Sequence, residues 1–484
     1  MMSNSAENSA MSRINALVDD NSFVEIGGLV SARNTDFNIQ AKETPADGVV
    51  TGYGVIDGNL VYIYSQDASV MGGTIGEMHA KKISKVYDLA MKMGAPVVGL
   101  IDCAGLRLQE ATDALNAFGE VYSKQVMASG VVPQITGIFG MCGGGLGIVP
   151  TLTDFTFMAE NGKLFVSSPN ALDGNIETKC DTASATYHSE VTGLVDFTGS
   201  EADVLASMRQ LLTVLPSNND EDAPETECVD DLNRVCADLA NCAEDTAIAL
   251  SQITDSGFMI EVKPSYAKEM VTAFIKLNGV VVGAVANRTK VYDENSNVTG
   301  EFGAVLTTAG ANKAAEFITF CDAFNIPVLS LTNTKGFAAT VEEEKTISKA
   351  VAKLTYAFAN ATVPKVNVVI GHAFGSAYVA MNSKSVGADM VFAWPDSKIG
   401  TMSPKQAVRI IYADDIAKAE DSVSFINEKA EEYKATQTTA GSAAKRGYVD
   451  TIIEACDTRK YVIGAFEMLY TKREDRPAKK HGTV

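Results

Sequence analysis

Positive charge is scarce in this chain of 484 residues. Its 40 lysine and arginine residues face 60 aspartate and glutamate residues, which gives a formal net charge of −20. Nucleic acids and anionic membranes bind basic surfaces, so neither is expected as the main partner. A local basic patch could still hold an anionic ligand, and the net charge therefore leaves the class of substrate open.

Long apolar runs and clustered cysteines are also missing. No run approaches the roughly 18–20 residues that cross a bilayer, and residues 1–17 lack the basic-then-apolar order of a signal peptide. The eight cysteines are scattered without a CxxC pair, which predicts a reduced, cytoplasmic protein without a metal site. The sequence contains no Walker loop and no Rossmann fingerprint, which argues against ATP and NAD binding by this chain.

The length and the order of patterns predict an α/β protein with more than one domain. A chain of this size can build two to four separate cores, and strand–turn–helix alternation indicates layered α/β architecture. Residues 216–232 are acidic and contain few large apolar side chains, as a linker would. We therefore expect a first domain over residues 1–225, an acidic linker and helix over 226–260, and a second domain over 261–484.

One stretch of the first half, Gly94 to Pro150, organises the rest. An apolar run over 97–101 ends in a glycine-containing turn at 102–107, and helix-compatible residues follow. A second apolar run over 135–139 ends in three consecutive glycines, Gly143 to Gly145. Buried strands that end in glycine turns are places where backbone N–H groups face a ligand without intervening side chains.

The second half of the sequence repeats this stretch. GAPVVGLIDCAGL at Gly94 matches NIPVLSLTNTKGF at Asn325, and VVPQITGIFGMCGGG matches TVPKVNVVIGHAFGS. Gly105 pairs with Gly336 and Gly144 with Gly375, and the two pairs have the same separation along the chain. The constant register predicts that one domain has been duplicated. Two glycine turns in each half could aim two backbone N–H groups at one oxygen, the geometry that stabilises an enolate.

The motifs of the chain resemble those of a known family. They are TGYGVIDG, YSQD, MGGTIGEMHAKKI, DLAMKMGAPVVGLIDCAG, LTDFTFM, FCDAFNIPV, ATVPKV and PAKKHG. These segments are similar to the carboxyltransferase (β) subunits of biotin-dependent acyl-CoA carboxylases, a family that includes the corresponding subunits of transcarboxylase and of acyl-CoA decarboxylases. The resemblance implies two crotonase-like α/β domains in tandem, each a ββα superhelix.

The resemblance also implies a role for each turn. Gly105-Leu106 and Gly144-Gly145 would stabilise the enolate of an acyl-CoA, with Gly143 in the substrate pocket. In the second half, Gly336-Phe337 and Ser376-Ala377 would hold the ureido oxygen of biotin, with Tyr378 and Val379 lining the pocket. Biotin itself can take the α-proton in this family, so no protein base is required.

The expected partners follow from the same resemblance. Biotin would arrive on a separate carrier protein, together with a biotin carboxylase or, if the reaction runs in reverse, a membrane decarboxylase that pumps sodium. Family members are commonly homo-hexamers whose active site is shared between subunits. Nothing in the chain sets the direction of transfer, and a non-catalytic assembly subunit or a simple crotonase hydratase remain the alternatives.

The chain departs from the family pattern at the turns. The usual P-G-F-L-P-G is Lys335-Gly336-Phe337-Ala338-Ala339-Thr340, and the acidic residue of G-G-A-Y-D is Val379. Backbone donors survive these changes while pocket polarity does not, so the identity of the acyl group stays open. His79, His188 and His372 are more readily interpreted as packed residues than as bases. Lys81 and Lys82 would either attract CoA phosphates or lie on a solvated helix face.

Overall fold

The computed structural model describes residues 9–34, 43–479 and 482. It divides into two compact units, Met1–Pro224 and Glu225–Val484. Residues 226–260, expected as linker and helix, lie in the second unit, where Leu250 and Ile253 are completely buried in its core. A segment that its composition assigned to a linker and helix therefore contributes to the core of the second unit.

The first unit is organised around one mixed sheet. Its strands are β1 (Val24–Glu25), β2 (Val49–Ile56), β3 (Asn59–Gln66), β4 (Val97–Cys103), β5 (Gln134–Gly143), β6 (Phe155–Ala159), β7 (Lys163–Phe165) and β8 (Phe197–Gly199). They lie in the order β1-β2-β3-β4-β5-β6-β8, with β7 paired to the far end of β5. The pairs β1–β2 and β2–β3 are antiparallel, and the remaining pairs are parallel.

Helices connect and cover the strands of this sheet. They are α1 (Ser9–Leu17), α2 (Glu77–Met93), α3 (Ala111–Ala128), α4 (Asn175–Thr178), α5 (Ala185–Tyr187) and α6 (Glu201–Leu212). Helix α2 buries Ile83, Val86 and Ala90 against the sheet, as their spacing predicts. It ends at Gly94, whose left-handed conformation closes the helix before β4 begins.

The second unit contains the corresponding strands and two additional features. Its strands are β9 (Met259–Val262), β10 (Met270–Leu277), β11 (Val280–Asn287), β12 (Lys290–Tyr292), β13 (Val298–Glu301), β14 (Val328–Thr334), β15 (Lys365–Phe374), β16 (Met390–Ala393), β17 (Lys398–Gly400) and β18 (Thr451–Ile452). Its helices are α7 (Thr246–Ile253), α8 (Thr308–Ala323), α9 (Val341–Glu344), α10 (Ile347–Asn360), α11 (Gly375–Ala380), α12 (Pro404–Ile411), α13 (Ala413–Ile416), α14 (Ser422–Gln437), α15 (Ala440–Lys445) and α16 (Thr458–Leu469). The additional features are the small sheet β12–β13 and the helices α12 to α14, whereas helix α16 follows β18 as α6 follows β8.

The two large sheets share their topology and their register. The second runs β18-β16-β15-β14-β11-β10-β9, with β17 paired to β15, which reproduces the first sheet strand for strand. Val97 lies opposite Gln134 in the first unit, and Val328 lies opposite Lys365 at the equivalent place in the second. Even the shift in the ladder before the turn, at Cys103 and at Thr334, is repeated. The duplication predicted from the sequence repeat is thus visible residue by residue.

Candidate active site

The first glycine turn of the first unit follows the carboxyl end of β4. Gly105 has a φ of +105°, and its carbonyl accepts a hydrogen bond of 2.9 Å from the N–H of Ile75. The N–H of Arg107 donates to the carbonyl of Ile75, also at 2.9 Å. These two bonds use the groups on either side of Leu106, so the N–H of Leu106 stays outside the bridge.

The second turn follows the carboxyl end of β5. Gly144 has a φ of +66° and opens a 3-10 turn over Gly144–Ile148, whose first N–H groups have no partner within the turn. A Cβ built on Gly144 would meet no atom within 4 Å, so its face is open. The hydroxyl of Tyr122 donates to the carbonyl of Gly145 and fixes the next peptide.

The two turns of the first unit lie side by side. Cys103 and Cys142, which precede them on adjacent parallel strands, are direct partners in the ladder. A Cβ built on Gly105 would lie 3.5 Å from the carbonyl oxygen of Gly143. The two turns therefore lie next to each other at one edge of the sheet, and backbone N–H groups directed at one point from such turns are the kind of arrangement that stabilises an oxyanion.

The second unit repeats the pair of turns. The carbonyl of Gly336 accepts from the N–H of Leu306 at 2.9 Å, and the N–H of Ala338 donates to the carbonyl of Leu306 at 2.8 Å. The N–H of Phe337 lies outside this bridge, as that of Leu106 does. Helix α11 begins at Gly375 with a φ of +63°, so the N–H groups of its first turn, at Ser376 and Ala377, have no helical partner.

The residues predicted to line pockets behave differently from one another. Gly143 is a requirement of packing, because a Cβ at this position would lie 2.6 Å from the ring of Phe165. Tyr378 packs against an apolar cluster around Val369, and burial raises the pKa of its hydroxyl to about 12. Val379 is 39% exposed. Of the two predicted residues of the second unit, Val379 is the one available to a ligand.

A cavity of about 660 Å³ lies near the second turn of the first unit. Its wall includes Met141 in β5, just before that turn, and Phe165, whose ring lies against Gly143. It also includes Lys163 and Lys179, and Lys163 is paired with Asp181, another residue of the wall, at 2.7 Å. The cavity thus combines apolar and charged side chains of both signs.

A buried ionic network lies behind the first turn, and it was not predicted from the sequence. The guanidinium of Arg107, which is completely buried, donates to Asp47 at 2.6 Å, to Glu110 at 2.9 Å and to the carbonyl of Thr74 at 2.7 Å. Burial raises the pKa of Asp47, against the opposing effect of Arg107. Glu110 also accepts from the N–H of Glu77 at the start of α2. The network ties the turn to the adjacent helix.

His79 and His188 take structural positions. His79 is buried between Gln66 and the carbonyl of Asp47, and burial lowers its pKa to about 3. His188 contacts the carbonyl of Leu164 at 2.7 Å. Burial lowers the pKa of His372 to about 4. Among the described residues no group of histidine, cysteine or carboxylate side chains could hold a metal ion.

Comparison with known proteins identifies the family to which the chain belongs. The profile of the carboxyl transferase domain matches residues 4–484. The chain is a member of the carboxyltransferase family. It is 42% identical to the methylmalonyl-CoA decarboxylase subunit alpha of Veillonella parvula, over 98% of this chain and 92% of the relative. It is 40% identical to the propionyl-CoA carboxylase carboxyltransferase subunit of Haloferax mediterranei, over 98% and 93%.

A solved structure matches the fold of this carboxyltransferase closely. The transcarboxylase 12S hexamer with hydrolysed methylmalonyl-CoA superposes with a TM-score of 0.92 at 37% identity, over 98% of this chain and 92% of that one. The predicted family and the crotonase-like fold are therefore confirmed. The carboxyltransferase is an enzyme subunit of the biotin-dependent carboxylases and decarboxylases. In the part of the chain that the structure describes, no helix is long and apolar enough to cross a membrane.

Proposed function

We propose that the subunit moves a carboxyl group between carboxybiotin on a separate carrier protein and the α-carbon of an acyl-CoA. The observation that carries this proposal is the duplicated pair of glycine turns. The transfer develops negative charge on two oxygens, the thioester oxygen of the acyl-CoA and the ureido oxygen of biotin. Two matched sets of backbone donors, one in each unit, provide for both charges.

The division of roles follows the surroundings of each set. We assign the N–H groups of Leu106 and Gly145 to the acyl enolate, as the resemblance to the family implies, and the cavity that Phe165 lines lies near the second of these turns. We assign those of Phe337 and Ala377 to biotin. A Cβ at Gly336 would meet no atom within 4 Å, so this turn has an open cradle that fits a planar ureido group. Biotin supplies the carboxyl group and takes the α-proton, and the protein contributes binding, orientation and the donors.

The assembly is proposed from the relatives. The transcarboxylase 12S structure is described as a hexamer with bound methylmalonyl-CoA. We infer a homo-hexamer here as well, working with a biotin carrier protein and a biotin carboxylase. Because two of the relatives are methylmalonyl-CoA decarboxylase alpha subunits, at 42% and 41% identity, the reverse reaction with a membrane decarboxylase as partner is the second candidate.

Purified protein tests the proposal without its partners. We expect malonyl-CoA or methylmalonyl-CoA to lose its carboxyl group when free biotin is present. Without biotin we expect no such loss. Liquid chromatography of the CoA esters measures it directly. Absence of turnover with all short acyl-CoAs and with biotinylated carrier, together with absence of CoA binding, would contradict the proposal.

Gly144→Ala tests whether the turn itself takes part. The new methyl group would occupy the open face on which the ligand is expected, and we predict a loss of about 100-fold or more in kcat/KM. Gly130→Ala is the matched control, because Gly130 has a φ of +69° and equally open surroundings but lies just after the end of α3. Both variants suffer the same backbone strain, so equal activities would remove Gly144 from the mechanism.

A further inference from the structure

We propose that Cys103 and Thr334 are positioning residues that hold the two oxyanion turns in their working conformation. Each lies two residues before the glycine of its turn, and its side chain folds forward onto the backbone of that glycine. We call this contact the brace. The inference rests on the proposed function, because it concerns the donors of Leu106 and Phe337 that the function requires.

The braces of the two units have the same geometry. The N–H of Gly105 donates to Sγ of Cys103 at 3.3 Å, and Sγ lies 3.5 Å from the carbonyl oxygen of Gly105. The N–H of Gly336 donates to Oγ1 of Thr334 at 3.4 Å, and Oγ1 donates to the carbonyl of Gly336 at 3.1 Å. Cys103 and Thr334 are completely buried and occupy equivalent positions of the repeat.

The brace determines where the following N–H points. A trans peptide is planar, so its carbonyl and the next N–H project in opposite directions. The carbonyls of Gly105 and Gly336 are each held on the strand side by two donors, the brace and the N–H of Ile75 or Leu306. The N–H groups of Leu106 and Phe337 must then project away from the strand, toward the ligand. Without the brace, only one of these two donors holds the carbonyl, and a glycine at positive φ allows this peptide to rotate more easily than another residue would.

Both units contain the brace, although the residues opposite it differ between the units. The residues opposite the two braces are Cys142 in β5 and Ala373 in β15, which share neither size nor hydrogen-bonding capacity. A thiol and a hydroxyl have in common a donor hydrogen and an acceptor lone pair on the same short stem. Burial raises the pKa of the Cys103 thiol to about 12, so it stays protonated and keeps that donor at neutral pH.

Replacement of Thr334 by valine and by serine separates the effect of the brace from the effect of side-chain packing. Thr334→Val keeps the shape of the side chain and loses the hydroxyl, whereas Thr334→Ser keeps the hydroxyl. In the assay with free biotin and malonyl-CoA we expect Thr334→Val to lower kcat about tenfold, with both KM values changed less than about twofold. We expect Thr334→Ser to stay within about threefold of the wild type. Cys103→Ala and Cys103→Ser should form the same pair in the first unit.

Thr332→Val is the matched control in the same strand. Thr332 is completely buried in β14 and donates to Asn367 at 2.8 Å and to the carbonyl of Met381, just after the end of α11, at 3.3 Å, so its loss removes a buried hydroxyl that makes no bond to the Gly336 turn. We expect its kcat to remain that of the wild type. A kcat of Thr334→Val within about twofold of the wild type would overturn the inference. So would equal losses in the valine and serine variants, or in Thr334→Val and Thr332→Val.

Two further measurements keep the outcomes distinct. Unfolding temperatures of all variants show whether Thr334→Val is folded at the assay temperature, and if it is not, the Cys103 pair decides in its place. Gly336→Ala reports on the turn itself. If Gly336→Ala is active, the proposed function of this turn fails. If Gly336→Ala is inactive while Thr334→Val has the kcat of the wild type, the inference about the brace is wrong and the proposed function of the turn stands.

Discussion

Two buried lysines occupy the same place in the two units. Lys82 of α2 donates to the carbonyls of Ala46, at 2.8 Å, and Val49. Lys313 of α8, at the equivalent position of the repeat, donates to the carbonyls of Lys263 and Tyr266 at 2.8 and 2.9 Å. Each lysine fastens the segment that leads into the hairpin to the helix behind the active-site turn. Lys82 therefore lies neither on a solvated face nor in a position to attract CoA phosphates.

The spacing of Lys82 along helix α2 indicates a buried position, whereas its charge suggests a position on the surface. Lys82 lies three residues after His79 and four before Val86, so it falls on the buried stripe of α2 by helical spacing alone. An interpretation by residue type assigns lysine to the surface, where most lysines lie. The same reasoning missed Arg107, whose carboxylate partner Asp47 is distant in sequence and meets it only in the folded chain.

We predict a dependence of stability on pH that comes from Lys313. Burial lowers its pKa to about 7, well below its value in the unfolded chain. Between pH 7 and pH 9 the unfolded state therefore binds more protons than the folded state, and the free energy of unfolding rises with pH. Lys313→Met should remove roughly 2 kcal/mol of this rise across that window. Denaturation by urea at pH 7, 8 and 9 measures the two slopes.

Lys353→Met is the control for this experiment. Lys353 is exposed on α10 of the same unit, so its replacement removes one charge without changing a buried group. Its slope should follow that of the wild type. Parallel slopes for the wild type and Lys313→Met would show that Lys313 does not titrate in this range.

At the scale of elements, the sequence predicted the strands and turns well and their supports poorly. The apolar run over 97–101 is the centre of β4, and the glycines mark the turns because their positive φ angles exclude most other residues. The constant offset of the repeat predicted the common register of the sheets. The brace could not be predicted, since it depends on the rotamer of one side chain. At the N-terminus, helix α1 ends at Leu17 and Val24–Glu25 forms an edge strand.

The two hairpins provide a natural comparison of one element in two surroundings. Asp57-Gly58 and Asn278-Gly279 turn β2–β3 and β10–β11, with all four residues at positive φ. An aspartate carboxylate accepts from both N–H groups of each turn, Asp19 in the first unit and Asp255 in the second. The side chain of Arg209 contacts Asp57 of the first turn at 2.6 Å, whereas the backbone of another segment covers the second turn, where the N–H of Thr226 donates to the carbonyl of Gly279 at 3.0 Å.

We predict that alanine is tolerated differently in the two hairpins. A Cβ at Gly58 would meet no atom within 4 Å, whereas one at Gly279 would lie 1.8 Å from the carbonyl oxygen of Thr226. The strain of positive φ is common to both positions, so the difference isolates the clash with the covering segment. Gly279→Ala should lower the free energy of unfolding by about 1–3 kcal/mol more than Gly58→Ala. Equal losses in urea denaturation would contradict this account.

At the scale of the whole molecule, the boundary between the units differs from the boundary that composition suggests. Acidic residues with few apolar neighbours usually mark a linker, and that rule placed the second domain after residue 260. The fold shows why composition misleads here. Arg459 of α16 is completely buried, and its guanidinium donates to the carbonyls of Ile253 and Asp231 and to the carboxylate of Asp255. The acidic segment supplies the partners of a buried cation.

We propose that the second unit requires residues 225–260 in order to fold, and splitting the complete chain tests this. Co-expressed fragments 1–224 and 225–484 keep Arg459 with its partners, while fragments 1–260 and 261–484 cut through β9 and leave the guanidinium buried and unpaired. Removal of the partners of a buried charge costs about 3–5 kcal/mol, and helix α7 is lost as well. We expect fragment 225–484 to unfold cooperatively in calorimetry and fragment 261–484 to aggregate or show no transition. Similar transitions in both fragments would place the boundary after residue 260, where the composition of the sequence first put it.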